Sequence, residues 1–481
     1  MMLLAMVALF AILVITLLDG DWRTGLVVTL MIGFLQDPLR KITPNQPSQL
    51  NGLVLIGFVL CTLVLLDRKR NFNLRTMFWM VPQMDEWVSI YFALIALQAF
   101  NSFSRFVDPV LTGIGIAFYV APALGMWVGF QVGMNTLLLR RLLAVYLIGS
   151  VICAVSVFLS FRGFTHPLLK EVGEGLLITF RHGFSAQGAS GFWRTSEIAS
   201  WHLAAASCIA ATMGAASSKR SSQTALLLLS IAFGFLTILT GRRKSLVLVL
   251  TFAAIFFLLL FRRSDTAFKD RLVSNLLGTS GVAYVLFTLV IFGALGRNFG
   301  EFLTRTLTTT DDLGKRFEGQ GLGAIFKAIE VAQFFGFGVG AGAQAGNLQV
   351  TQNRGITSLG FVSEGGGGRL IVELGIPGLI VIMILIWLFV QVFYRNFALL
   401  RYLPSETSVL VMGLASFAIA NIPSFITAGQ LYGDPFVLIM LSISMGSFLA
   451  VPALAAEYRQ QASAAQAAMS MPSRPHSIGR P

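Results

Sequence analysis

The chain has 481 residues, 55% of them hydrophobic and only 12% charged, with a mean hydropathy of +0.76 and a net charge of +13. Soluble domains carry roughly a quarter charged residues, so a water-soluble fold is excluded. The positive charge lies in short basic clusters without interleaved aromatic residues, which argues against nucleic acid and for loops facing anionic lipid.

Apolar stretches of helical length predict membrane spans over 2–18, 22–36, 50–66, 87–103, 110–131, 142–161, 198–216, 224–240, 245–261, 276–293, 369–394, 408–427 and 434–454. The first has no preceding positive charge and no small-residue cleavage site, so it reads as a span rather than a removable leader. The second is short enough to be a half-span. The fold class is therefore all-α and polytopic, with about 12–14 transmembrane helices. Its organisation is N-terminal helices over 1–161, a first long loop over 162–197, central helices over 198–293, a large loop over 294–368 between the tenth and eleventh spans, C-terminal helices over 369–454, and a disordered tail over 455–481. Cys61, Cys153 and Cys208 all sit in apolar runs and read as packing residues. No internal repeat is evident, which weakens a transporter built from two similar halves.

Basic residues set the orientation. Alternate loops hold Arg68, Lys69, Arg70 and Arg75; Arg140 and Arg141; Lys219 and Arg220; Arg262, Arg263, Lys269 and Arg271; and Arg395 and Arg401. That face is expected to be cytoplasmic, together with the tail, and both long loops are expected on the outer, periplasmic face. The turn Gly241-Arg242-Arg243-Lys244 then falls on the outer face, against the charge rule. It is either an ordinary turn with snorkelling side chains, an inverted orientation, or a site for an anionic head group. Arginine suits phosphate because its planar fork donates paired hydrogen bonds and stays charged.

The large loop contains Arg316-Phe317-Glu318-Gly319, a helical stretch over 324–335, and Gly336-Phe337-Gly338-Val339-Gly340. Glu364, four glycines, Arg369 and the run Glu373-Leu374-Gly375-Ile376-Pro377-Gly378 follow. Arg369 and Glu373 are four apart, so they share a helix face and are placed to pair. Gly365 to Gly368 read equally as a flexible tether or as backbone meant to approach a ligand. Asp311-Asp312 reads as a solvated pair rather than a metal site. His166, His182 and His202 lack ligand spacing. Asn421-Ile422-Pro423 interrupts the twelfth span, as a kink or a cavity lining. Asp37-Pro38-Leu39-Arg40-Lys41 follows the second span and carries no assigned role.

The order of these motifs over roughly 190–390 resembles the O-antigen ligase and O-antigen polymerase superfamily of bacterial envelope glycosyltransferases. The features are an arginine turn after Leu-Thr-Gly, a long outer loop opening near an arginine, Gly-x-Gly-x-Gly, and a span starting Glu-Leu-Gly-Ile-Pro-Gly. The resemblance implies a multi-pass bacterial inner-membrane enzyme of exopolysaccharide, capsule, O-antigen or lipopolysaccharide assembly. It implies transfer without metal or cofactor, from a polyisoprenyl-diphosphate-linked glycan to a glycan or lipid-linked acceptor. Membrane lipids and polysaccharide chain-length or export proteins are the further partners it implies. Carried over, Arg242 and Arg243 bind the diphosphate, with Arg194 in the same anion cluster. Arg316 matches the arginine that opens the large loop, and Arg369 joins the substrate-binding set. Family ligases place a His-Asn pair about nine residues before the glutamate of Glu-x-Gly; here that position is Glu364, the candidate general base, which reads equally as an acceptor-sugar contact or a solvated loop residue. This departure fits a polymerase-like or divergent member better than a ligase. The rival readings are a lipid-linked-glycan transporter or flippase, and a non-catalytic subunit of a polysaccharide secretion system.

Overall fold

The computed structural model describes residues 2–69, 74–172, 177–179, 185–263, 317–332, 334–342, 365–427 and 429–470. In chain order the helices are α1 (Met2–Leu18), α2 (Trp22–Ile42), α3 (Leu53–Lys69), α4 (Leu74–Phe78), α5 (Gln83–Phe106), α6 (Pro109–Gly133), α7 (Thr136–Phe161), α8 (Ser196–Ala215), α9 (Arg220–Leu239) and α10 (Arg243–Arg263). After the large loop come α11 (Gly323–Ala332), α12 (Gly366–Leu399), α13 (Ser405–Thr427), α14 (Pro435–Leu449) and α15 (Val451–Ser470). A short antiparallel pair, Leu177–Thr179 with Ser185–Gln187, lies in the first long loop. Among the described residues, ten helices are long and apolar enough to cross a membrane. The chain thus has the character of a helical, multi-pass membrane protein. The expected span 276–293 lies outside the described residues.

Several helix boundaries follow from local sequence. Asp21, Asp108, Asn135, Thr195 and Asp434 cap helix starts by accepting backbone N–H groups, and Pro109 and Pro435 occupy first-turn positions. Several boundaries differ from the sequence expectation: α7 begins at Thr136 rather than 142, α12 runs to Leu399 rather than 394, and α2 and α15 are also longer. α2 continues beyond 36 to Ile42, because Pro38 is accommodated inside it and carries Asp37, Arg40 and Lys41 onto the helix. α15 continues to Ser470, past the expected boundary at 455, because an alanine-rich run is a strong helix former. The helix α13 also runs unbroken through Asn421 and Pro423. Asn421 Oδ1 there accepts from Trp201 Nε1 at 2.8 Å and from the Tyr432 hydroxyl at 3.0 Å.

α8 is the buried centre of the bundle, with 89% of its membrane-length window inside the protein. Its alanines and serines let α7, α9, α10 and α13 approach closely. α6 and α14 mesh through Gly125, Gly129 and Gly133 against Ser442, Ile443 and Ser447. A Cβ at Gly446 would stand 2.1 Å from the Met126 carbonyl oxygen, so small residues set this contact.

Helix direction sorts the chain ends into two faces. On one, Arg68 reaches the Asp19 carbonyl, and Arg140 pairs with Glu406 at 3.1 Å and caps the Ala216 carbonyl. Arg401 and Arg459 lie over the Tyr402 ring. We call this the basic face. The opposite face carries the end of α2, the starts of α8, α10, α12 and α14, and the turn at Arg242.

Candidate functional site

The polar groups of the Arg242 face are built around the residues just before α8. Thr195 caps α8, which fixes Arg194 immediately outside it. Arg194 Nη1 pairs with Asp37 Oδ1 at 3.2 Å, and Nη2 with Asp434 Oδ2 at 2.6 Å. The Arg194 backbone N–H also donates to Asp37 Oδ2 at 3.1 Å. Burial by itself would lower the Arg194 guanidinium; the Asp37 and Asp434 carboxylates overcome it and hold the group above its ordinary value. Arg194 therefore stays charged and ties α2, the first long loop and α14 together.

A second set continues from the same loop. Lys41 Nζ donates to the Gly191 carbonyl at 2.6 Å and to Ser190 Oγ at 3.4 Å. Glu171 Oε1 accepts the Ser196 backbone N–H. Burial raises the Glu171 carboxyl above the usual carboxylate range, although the Ser196 bonds and the charges of Arg242 and Lys41 oppose that rise. Arg242 follows Gly241, whose φ is 71°, and its Nε donates to Ser196 Oγ at 3.1 Å. Lys244 forms an ion pair with Glu197 on the first turn of α8. Arg243 begins α10. The expected basic turn is therefore seated on the start of α8, beside Glu171 and Glu197.

The third set is the expected pair. Arg369 Nε donates to Glu373 Oε1 at 2.9 Å, with the glutamate fully buried. The Gly342 backbone N–H donates to the same oxygen at 3.0 Å. The guanidinium carbon stands 3.9 Å from the centre of the Phe118 ring, so stacking fixes the plane that Glu373 orients. Its Nη1 faces the Gly433–Asp434 turn: a Cβ at Gly433 would lie 3.9 Å from it. Because Asp434 is also a partner of Arg194, that turn joins the Arg369 and Arg194 sets.

Beneath Arg369 the helix α12 is broken. Gly375 has φ 66° and ψ −165°, and Pro377 follows. The segment around Gly336-Phe337-Gly338-Val339-Gly340 fills the break. Phe337 N–H donates to the Val372 carbonyl at 2.8 Å, Gly338 N–H to Glu373 at 3.0 Å, and Ile376 N–H to Phe334 at 2.9 Å. Gln98 Nε2 donates to the Phe335 carbonyl at 2.8 Å, and Val339 N–H donates back to the Gln98 carbonyl at 3.2 Å. Gln98 lies ~12 Å from the end of α5 at Phe106, taking about 1.5 Å rise per residue. The segment therefore dips well below the helix ends. Irregular backbone at such depth persists where protein satisfies its polar groups, as here. At Gly338, φ is 96° and a Cβ would stand 2.3 Å from the Ser102 nitrogen. Only glycine fits both the backbone angle and the space.

Of the candidate residues, Arg194, Arg242, Arg243 and Arg369 are thus on one face, and Arg194 and Arg369 share the Gly433–Asp434 turn. Glu364, Arg316, Asp311-Asp312 and His182 lie outside the described residues. His202 is packed among Trp193, Trp201 and Phe436, with its Nδ1 2.8 Å from the Tyr146 hydroxyl. His166 caps a short turn by accepting from Leu168 N–H. Sequence reading gave no role to Asp37, Asp434, Lys41 or Glu171. Lys41 and Asp37 share α2, and this polar end of an apolar helix was the signal available. Among the described residues, no group of three or more His, Cys, Asp or Glu is disposed to hold a metal ion. The chain matches no family model and no curated protein sequence.

Proposed function

We propose that the chain is a glycosyltransferase of the polymerase or ligase type, acting on polyisoprenyl-diphosphate-linked glycans at the outer face of a bacterial inner membrane. The observation that carries this reading is Arg369. Glu373 and Phe118 hold its guanidinium in one orientation, with an Nη edge toward the Gly433 turn, on the same face as Arg242. A preorganised guanidinium on the face that also carries the Arg242 turn is suited to a diphosphate. The motif order from the arginine turn to Glu-Leu-Gly-Ile-Pro-Gly supports the same class.

In this reading, Arg369 and Arg242 hold the diphosphate, Arg243 and Arg316 extend the basic surface, and Arg194 positions the loop that carries Ser196. An acceptor hydroxyl attacks the anomeric carbon while Glu364 takes its proton. The new glycosidic C–O bond forms as the bond from the anomeric carbon to the diphosphate oxygen breaks. The leaving negative charge is neutralised by arginine, which requires no metal. The broken α12 and its buried ion pair favour a second reading, a transporter of lipid-linked glycans, since discontinuous helices also form the substrate sites of membrane transporters.

The test replaces Arg242 and Arg369 separately by Ala in cells and measures polymer length, with carrier-linked repeat units counted on each leaflet. Short or absent polymer with repeat units accumulating outside supports transfer. Accumulation inside supports the transporter. Normal polymer from both variants removes the enzyme reading.

A further inference from the structure

A separate apolar cleft of about 240 Å³ runs between α4, α5, α6 and α12, lined among others by Met77, Phe78, Tyr119, Ala123, Leu385 and Phe389. Its upper end is Tyr119, ~15 Å from the start of α6 at Pro109 by the rise of an α-helix. A bilayer's hydrocarbon is about 30 Å thick, so the cleft begins near mid-membrane and covers the leaflet on the basic face. Above it, Val339 of the glycine-rich segment packs with Tyr119 and Leu374 and closes the way to the Arg242 face. At its lower end, Met77 and Phe78 adjoin Trp79, which is 57% exposed, as expected of an aromatic residue at the membrane–water boundary. The exposed Arg395 guanidinium donates to the Met80 carbonyl, which puts a positive charge at this mouth. Ile386 lines the cleft and is 52% exposed, so this side opens toward lipid rather than protein.

We infer that this cleft seats one acyl chain of an anionic phospholipid from the leaflet on the basic face, with its phosphate near Arg395. Three features select this occupant. The lining is apolar over the depth of one leaflet, the top is sealed by protein, and the charge at the mouth is positive. The cleft is distinct from the Arg369 site but adjoins it: Tyr119, which also neighbours the Arg369–Glu373 pair, forms the wall between them, and the rest of the lining extends away toward the basic face.

The test uses the full chain in lipid nanodiscs containing phosphatidylglycerol or phosphatidylcholine with a photoactivatable group in the acyl chain. Cross-links to residues 119–126 and 382–389 are expected several-fold above those to the lipid-facing stretch 148–155. Ala123→Trp and Leu385→Trp, each checked for monodisperse elution, should lower them several-fold, whereas Ile152→Trp should not. Arg395→Gln should abolish the preference for phosphatidylglycerol. Even labelling of all lipid-facing helices, or labelling unchanged by both cleft-filling variants, overturns the inference. Displacement of the phosphatidylglycerol label by polyisoprenyl phosphate also overturns it, because the occupant is then a prenyl chain.

Discussion

Arg369 and Glu373 lie one turn apart on α12, and their 2.9 Å ion pair is buried directly above the Gly375 break in that helix. The pair, the break and the glycine-rich segment form one unit: Glu373 Oε1 binds both Arg369 and Gly342, while the Glu373 carbonyl binds Gly338.

Removing one partner of this pair leaves an uncompensated buried charge, which generally costs about 3–5 kcal/mol. Glu373→Ala should therefore unfold at a lower temperature than wild type in detergent, and the double variant Glu373→Ala with Arg369→Met should recover much of the loss. A double variant as unstable as Glu373→Ala alone would show that the pair is not the relevant contact.

Gly338 and Gly113 offer a paired comparison. Gly338→Ala meets both a positive φ and the Ser102 backbone, and a residue held in a strained region costs roughly 1–3 kcal/mol before the clash is added. Nothing stands within 4 Å of a Cβ at Gly113, which is inside a helix where alanine is favoured over glycine. Thermal unfolding should show Gly338→Ala destabilised and Gly113→Ala unchanged or slightly stabilised.

Arg194 uses separate nitrogens for Asp37 and Asp434. Lysine has one point charge and cannot reproduce that fork. Arg194→Lys keeps the charge but leaves one of the two buried carboxylates without its hydrogen bond, and should lose about 1–3 kcal/mol of stability. It should also make the first long loop more accessible to limited proteolysis. A Lys variant with wild-type protease resistance would contradict the bridging role.

Glu171 gives a pH dependence with a definite sign. Its folded value is raised, so its favourable contribution is present at low pH and lost as pH rises through that value. Glu171→Gln keeps an oxygen for the Ser196 N–H but cannot ionise. The variant should therefore be more stable than wild type at neutral pH, with the difference shrinking as pH falls and Glu171 protonates. Unfolding temperatures measured from pH 4 to pH 8 check this, and a difference that grows on acidification would reverse the sign.

The helical membrane character and the alternation of basic loops were legible because each depends on local composition. The Arg369–Glu373 pair was legible because four residues make one turn. The Arg194 clamp was not: Asp37 and Asp434 are distant in sequence, and nothing local distinguishes a bridging carboxylate from a solvated one. Gly336 to Gly340 was visible as a motif, but its role in closing the α12 break depends on Gln98, Ser102 and Gly375, which only the packed bundle assembles.

The most direct measurement is binding of polyisoprenyl diphosphate to the purified full chain in nanodiscs, comparing wild type with Arg369→Ala and Arg242→Ala. The lysine variant Arg369→Lys serves as a charge-retaining control. The proposal predicts binding weakened about tenfold or more by either alanine change, as for loss of a charge-assisted hydrogen bond to phosphate. Wild-type affinity in both alanine variants would contradict it.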